Sequence, residues 1–393
     1  SKLEHNKLIF SKVPTLRFKE FSGEWKKIRL GSIIEEIKTY TSDFNKYPLY
    51  SFTIENGVTP KTDRYERNFL VTKDGDTFKI VPPNSFVMNP MNLRFGAINY
   101  SKVEIPVSVS GYYNIFEIEN GKNNEFWSAY FLTKTAINLY NSVATGSLIE
   151  KKRVHFSQFI QLSFYVPSDV EKQKITRFLQ LIENRIAVQN KIISDLKVLK
   201  KELCNKVFGK GSAVRLGDFI EEVTTRNKSN SCENVLSVSN KMGFIKQSEQ
   251  FEDRTVASEN KSNYKVVTEG CFAYNPARIN VGSIALLSTY KIGIISPMYV
   301  CFKTKSNLNS EYLNFYYQSG FFYKELQKKL EGSVRQCLTY ENMSEILIPY
   351  VGIEEQKAIA VTLNKFATLI ATEEKYIKSL QKQKSYFLNA MFI

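Results

Sequence analysis

Residues 29–37, "RLGSIIEEI", return as "RLGDFIEEV" at 215–223, one instance of a repeat that governs almost the whole chain. A shift of 186 residues lays 78–100 on 264–286 without a gap, with seven identities in twenty-three positions. The phrase "SFVMNPMNLRFGAI" (85–98) thereby falls on "CFAYNPARINVGSI" (271–284). Ser110, Tyr113, Phe116, Gly146 and Ser147 fall on Ser296, Tyr299, Phe302, Gly332 and Ser333. After a small gap the shift becomes 184 and holds to the end of the sequence. Self-similarity at a fixed offset means one supersecondary unit built twice, so the fold has to contain two equivalent bodies.

Each unit has two parts. The first, residues 24–165 and 212–350, reads as α+β. Apolar β-rich runs such as "FKIVPPNSFVMN" and "YKIGIISPMYVCFK" are punctuated by Gly, Pro and Asn, and short aromatic helices such as "NEFWSAYFLTKTAINLY" follow. The second part is a long helix. "PSDVEKQKI" supplies its start, with Ser168 as N-cap and Glu171 completing a capping box; Gly352 and Glu355 take those places in the second copy.

The helix bodies carry a 4–3 heptad seam. In the first it is Ile175, Leu179, Ile182, Ile186, Gln189, Ile193, Leu196, Lys200, Leu203 and Val207. In the second it is Ile359, Leu363, Phe366, Ile370, Glu373, Ile377, Leu380, Lys384, Phe387 and Met391. That spacing suits a coiled coil. The polar exceptions match, Gln189 with Glu373 and Lys200 with Lys384; they are either seam-edge residues or residues that set the register of pairing. The expected boundaries are 1–166 for the first α+β domain with an N-terminal extension, 167–209 for a central helix, 210–350 for the second domain, and 351–393 for a C-terminal helix.

Charge narrows the partner. The chain has a formal net charge of +15. Residues 1–208 hold 31 Lys+Arg against 21 Asp+Glu, and the remainder 23 against 18, so both halves are basic. A basic surface favours a polyanion, because each cation set against a phosphate releases condensed counterions. No apolar run is long enough to span a membrane, and "SKLEHNKLIF" lacks a secretory segment, so a cytoplasmic protein is expected. Cys204, Cys232, Cys271, Cys301 and Cys337 are scattered without a C-x-x-C pair and read as reduced thiols. Two histidines, His5 and His155, cannot furnish His-based zinc sites or Ser-His-Asp triads, and His155 reads as a surface or packing residue.

No catalytic motif emerges. Asn89-Pro90 and Asn275-Pro276 invite comparison with the Asn-Pro-Pro-aromatic turn of amino-methyltransferases, but Met91-Asn92 and Ala277-Arg278 follow, without the second proline or the aromatic. There is no Walker motif, no Gly-rich strand-to-helix turn for a nucleotide or S-adenosylmethionine, and no nuclease carboxylate–lysine cluster. The Asn-Pro is therefore read as a scaffold turn.

Two α+β units alternate with two long helices, each helix opened by "PSDVEKQKI" or "IPYVGIEEQKAI" and closed by a basic–apolar tail. With the N-terminal "PTLRFKEFSGEWKKIRLGSI" and the phrase "YNPARINVGSI", this order resembles the specificity (S) subunit of type I restriction–modification enzymes, over about residues 13–393. The resemblance implies two target recognition domains, each reading one half of a bipartite site on double-stranded DNA. The helices would pair as an antiparallel coiled coil, serving as spacer and as docking surface for two methylation (M) subunits. It also implies a non-catalytic chain without a cofactor of its own. S-adenosylmethionine and adenine-N6 chemistry would come with the methylation subunits, and ATP and Mg with restriction (R) subunits. Two readers joined by antiparallel helices acquire a pseudo-two-fold axis, so they face one side of a duplex when about one helical turn apart, ~34–36 Å.

The repeat serves as an internal control for the reading residues. Positions identical in both copies (Asn89/Asn275, Pro90/Pro276, Gly96/Gly282) suit a scaffold; positions that differ suit base contact. "NLR" (92–94) stands against "RIN" (278–280), so Asn92 and Arg94 trade places with Arg278 and Asn280. Arginine suits guanine O6/N7 and asparagine adenine N6/N7; the alternative is that Arg94 and Arg278 contact phosphate or brace a loop. Further candidates are Lys151, Lys152 and Arg153, their counterparts Arg335 and Gln336, and the loop residues Arg64, Arg67, Arg226 and Lys228, each otherwise a solvated loop residue. Tyr112, Tyr113 and Tyr274 read as core or sheet-face residues. Two other functions fit the same sequence less fully: a self-sufficient tandem-domain DNA-binding regulator, and a coiled-coil scaffold whose charge is incidental.

Overall fold

Alternate residues of a single strand enter two different apolar clusters, which shows how each α+β body is layered. The structure, a computed structural model, describes residues 12–61, 77–147, 152–240, 242–250, 261–330 and 337–393. In the first body a four-stranded sheet has the spatial order Ile34–Ile37, Asn114–Ile118, Phe86–Met88, Ile98–Tyr100. In the second, the order Ile220–Glu222, Val300–Thr304, Cys271–Tyr274, Ile284–Leu286 repeats it. Phe86 and Met88 point into an aromatic core under the helices Asn124–Phe131 and Lys134–Val143, while Val87 points into a second apolar cluster with Val81, Val107 and Val109. Likewise Phe272 and Tyr274 face the helix side, and Cys271 and Ala273 face the other. A strand covered on both faces has no solvent side, which is why these runs read as continuously apolar.

Equivalent rings stack in equivalent ways. Phe86 lies on Phe116 at 5.5 Å with 9° between planes, and Phe272 on Phe302 at 5.1 Å with 7°. A smaller antiparallel pair closes each body, Lys26–Arg29 with Ser163–Val166 and Ser212–Arg215 with Leu347–Tyr350.

The chain forms two compact units, one running to Val188 and taking in Ile377–Ile393, the other Gln189–Tyr376. Each thus combines an α+β body with part of the central helix, Asp169–Phe208, and part of the C-terminal helix, Ile353–Ala390. In the first unit Phe178 meets Phe387 edge-on at 4.9 Å, and Glu183 meets Lys384 at 2.9 Å. Numbers rise along one helix as they fall along the other, so the pairing is antiparallel. In the second unit Gln189 donates to Glu373, while Leu203 and Val207 share a cluster with Ile359 and Leu363. Every seam position is buried or half-buried.

Two details depart from the sequence reading. Ser168 Oγ accepts the Glu171 N–H at 3.4 Å, but the Glu171 carboxylate does not complete a capping box. Its oxygens accept from Arg17 Nε at 2.7 Å, Arg17 Nη2 at 2.8 Å and Trp25 Nε1 at 3.3 Å. Glu171 is buried, and a buried carboxylate is held better by a bidentate guanidinium than by one backbone N–H. Lys200 and Lys384 also differ in role: Lys384 pairs with Glu183, whereas Lys200 lies over the Phe315 ring at 5.1 Å, where burial lowers its pKa.

Candidate nucleic-acid interface

In each body the strand Phe86–Met88 or Cys271–Tyr274 runs directly into the Asn-Pro turn. Asn89 Oδ1 accepts the Met91 N–H at 3.1 Å, and the Asn89 carbonyl accepts the Asn92 N–H at 3.1 Å. A 3₁₀ turn, Leu93–Phe95, follows and is closed by Gly96 at φ 88°. In the second copy Asn275 Oδ1 accepts from Ala277 at 3.0 Å, its carbonyl from Arg278 at 3.0 Å, and Gly282 closes Ile279–Val281 at φ 87°. The carbonyls of Pro90 and Pro276 take the N–H groups of Val154 and Leu338 at 3.0 and 3.1 Å. Asparagine caps its own turn and glycine supplies the left-handed residue, so the identical positions are a backbone frame. Leu93 and Ile279 anchor that frame in the core.

Among the positions that differ, the exchanged polar pairs 92/278 and 94/280 lie toward the surface, while Leu93/Ile279 differ only as one apolar core residue from another. Asn92, Arg278 and Asn280 are exposed and Arg94 is half-buried. Arg94 Nε donates to Asn141 Oδ1 at 2.7 Å, and its guanidinium lies 5.5 Å from the Phe95 ring centroid. Arg94 is thus braced. Arg278, at the equivalent of Asn92, forms no side-chain hydrogen bond or ion pair among the described residues. Lys152 and Arg153 lie beside the first turn, since Val154 binds Pro90 and Arg153 pairs its backbone with Thr145. Arg226 and Lys228 are exposed; Arg226 bridges Lys265 and donates to the Asn263 carbonyl at 3.2 Å. Lys265 in turn donates to the Tyr299 carbonyl at 2.9 Å. Arg64, Arg67, Lys151, Arg335 and Gln336 lie outside the described residues.

Several participants escaped the sequence reading. Lys79, 7% exposed, donates to the Tyr113 carbonyl at 2.8 Å, as Lys265 does to Tyr299, and burial lowers its pKa. The identity of Lys79 with Lys265 at offset 186 was the available signal. Asn141 left no signal, because its link to Arg94 spans 47 residues. Tyr274 is core and Tyr113 half-buried, but Tyr112 is 44% exposed and corrects the core assignment: it sits at a turn tip, beyond the last strand pairing. His155 is exposed and precedes the short helix Phe156–Phe159, where its N–H donates to Gln158 Oε1 at 2.9 Å. Beside the second turn, Ser239, Asn240, Ser288, Asn314, Gln318 and Tyr323 help line an uncharged cleft of about 530 Å³.

Among the described residues no group of His, Cys, Asp and Glu side chains is placed to hold a metal ion, and no helix is long and apolar enough to cross a membrane. What the two turns offer is a rigid frame presenting exchangeable polar and cationic side chains, chemistry suited to binding.

The sequence pattern of the type I restriction modification DNA specificity domain matches residues 22–198 and again 212–382. The type I restriction enzyme MjaVIII specificity subunit of Methanocaldococcus jannaschii is 23% identical over 422 residues, covering 95% of this chain and 94% of that protein. The crystal structure of the type I restriction–modification system S subunit from M. genitalium superposes with a TM-score of 0.57 at 12% identity, covering 97% and 99% of the two chains. A chain from a type I R-M system studied for complex assembly and conformational transition gives 0.55 at 14% identity, covering 93% and 96%. These last two likenesses concern the fold; the duplicated match, one copy on each repeat, carries the assignment. The chain belongs to the type I restriction modification DNA specificity family.

Proposed function

We propose that this chain selects the DNA sequence for a type I restriction–modification complex, each α+β body reading one half of a bipartite site. The two long helices set the spacing between half-sites and dock two methylation subunits. Those subunits supply S-adenosylmethionine and transfer a methyl group to adenine N6; restriction subunits supply ATP-driven cleavage. The chain itself contributes binding and no chemistry, and acts in the cytoplasm.

One observation carries this reading: the two turns share a backbone frame to within a few degrees at Gly96 and Gly282, yet differ at the outward residues 92, 94, 278 and 280. A duplicated frame with divergent outward side chains is what reading two different half-sites requires, since bases are distinguished by side-chain donors and acceptors. The net charge of +15 supplies the sequence-independent attraction. Mapping methylated adenines in host DNA with and without the gene tests it. A two-part motif that vanishes with the gene is expected; an unchanged methylation pattern would refute the reading.

A further inference from the structure

Phe95 and Val281 occupy the same position of the two turns and are 64% and 52% exposed. Single exposed apolar residues are ordinary on a protein surface. Here the exposure recurs at equivalent places, on a frame that holds each side chain outward while its neighbours Leu93 and Ile279 are fully buried. A second pair behaves alike: Tyr112 is 44% and its equivalent Met298 58% exposed. The registers Asn114 with Met88, and Val300 with Tyr274, bring both turns of each body to the same end of its sheet. Each sheet end therefore presents two outward apolar side chains beside the polar candidates.

We infer that Phe95 and Val281 read DNA by apolar contact with the C5-methyl group of a thymine, one in each half-site. The inference rests on the DNA-reading function proposed above and names a base feature that the arginine and asparagine candidates cannot sense. In the major groove thymine alone carries a methyl group, and apolar side chains are its natural partners. The alternative apolar mode, a wedge between base steps, belongs to minor-groove binders and would require Phe95 to insert its whole ring between the bases. Phe95 has the Arg94 guanidinium over its ring, and Arg94 is itself held by Asn141. A ring covered on one face retains its edge and its other face, enough for a methyl group. Valine is short and branched at Cβ, and contact with a methyl group is chemistry that Phe95 and Val281 share.

The test uses the chain assembled with its methylation subunits and duplexes carrying the mapped site, with thymines replaced singly by uracil, which removes only the methyl group. Wild-type complex should bind about fourfold more weakly when one particular thymine in each half-site is replaced, the worth of one buried methyl group. Phe95→Ala should abolish that difference in one half-site and Val281→Ala in the other, while Phe95→Leu retains it. Both positions are exposed, and unfolding midpoints matching wild type will show that the variants are folded. If no thymine responds, or Phe95→Ala discriminates thymine from uracil as wild type does, the inference falls while the DNA-reading function stands. If the wild-type complex binds the mapped site no better than unrelated DNA, the function beneath it falls instead.

Discussion

Gln189 and Glu373 occupy the same position of the two copies, and the structure brings them together: the Gln189 amide donates to the Glu373 carboxylate. Gln189 is only 6% exposed in a seam otherwise mostly apolar. Two equivalent helices running antiparallel meet their equivalents at one level only, and a polar pair there penalises every other alignment, since a slip leaves both groups buried against leucine and isoleucine.

Replacing Gln189 or Glu373 alone by leucine should therefore destabilise the protein by about 1–3 kcal/mol, the cost of one buried polar group left without its partner. The double replacement should restore most of that stability. Denaturant unfolding of the three variants checks it; additive losses would show that the pair does not act as a pair.

Arg278→Ala should impair one half-site and leave base preference at the other intact. If Arg278 reads a guanine, the cost is about 1–3 kcal/mol at that base pair alone. Binding assays over a panel of singly substituted sites distinguish this from an even loss across all sequences, which would reassign Arg278 to phosphate contact.

Gly96→Ala should be damaging. Gly96 sits at φ +88°, and an added Cβ would lie 3.1 Å from Leu132 Cδ2. The left-handed backbone alone costs an alanine about 1–2 kcal/mol. Gly320→Ala is the control, since nothing lies within 4 Å of its added Cβ and its φ is ordinary. Thermal midpoints should fall for the first and hold or rise for the second.

Under the proposed function, DNA binding by the chain assembled with methylation subunits should weaken steeply with salt, linearly on a log–log scale, with a slope that counts released counterions. Affinity that is flat between low and physiological ionic strength would remove phosphate contact as the main source of binding.

Four residues inserted after Lys191 extend the central helix, Asp169–Phe208, by about one turn, ~6 Å. If the helices measure the site, the variant should methylate the same half-sites with a spacer longer by about one or two base pairs at ~3.4 Å each. Methylome sequencing reads the spacer directly. An active variant with an unchanged spacer would leave the helices only a docking role.

Periodicity and pattern determined the duplicated α+β plan and the seam, because apolar runs bounded by Gly, Pro and Asn, a 4–3 heptad and a repeat at offset 186 are all written in residue order. The Asn-Pro turn was legible for the same reason, since Asn89 and Asn275 cap their own turns over two residues. Only the tertiary structure decided which side chain of each turn is available. Arg94 and Arg278 look alike in sequence, but Asn141, 47 residues on, braces the first. Glu171 sits at a capping position, yet Arg17, 154 residues away, engages it. Gln189 and Glu373 were matching exceptions until the antiparallel packing made them partners. Contacts of that kind depend on which surfaces the chain buries together, and no spacing rule along the sequence encodes them.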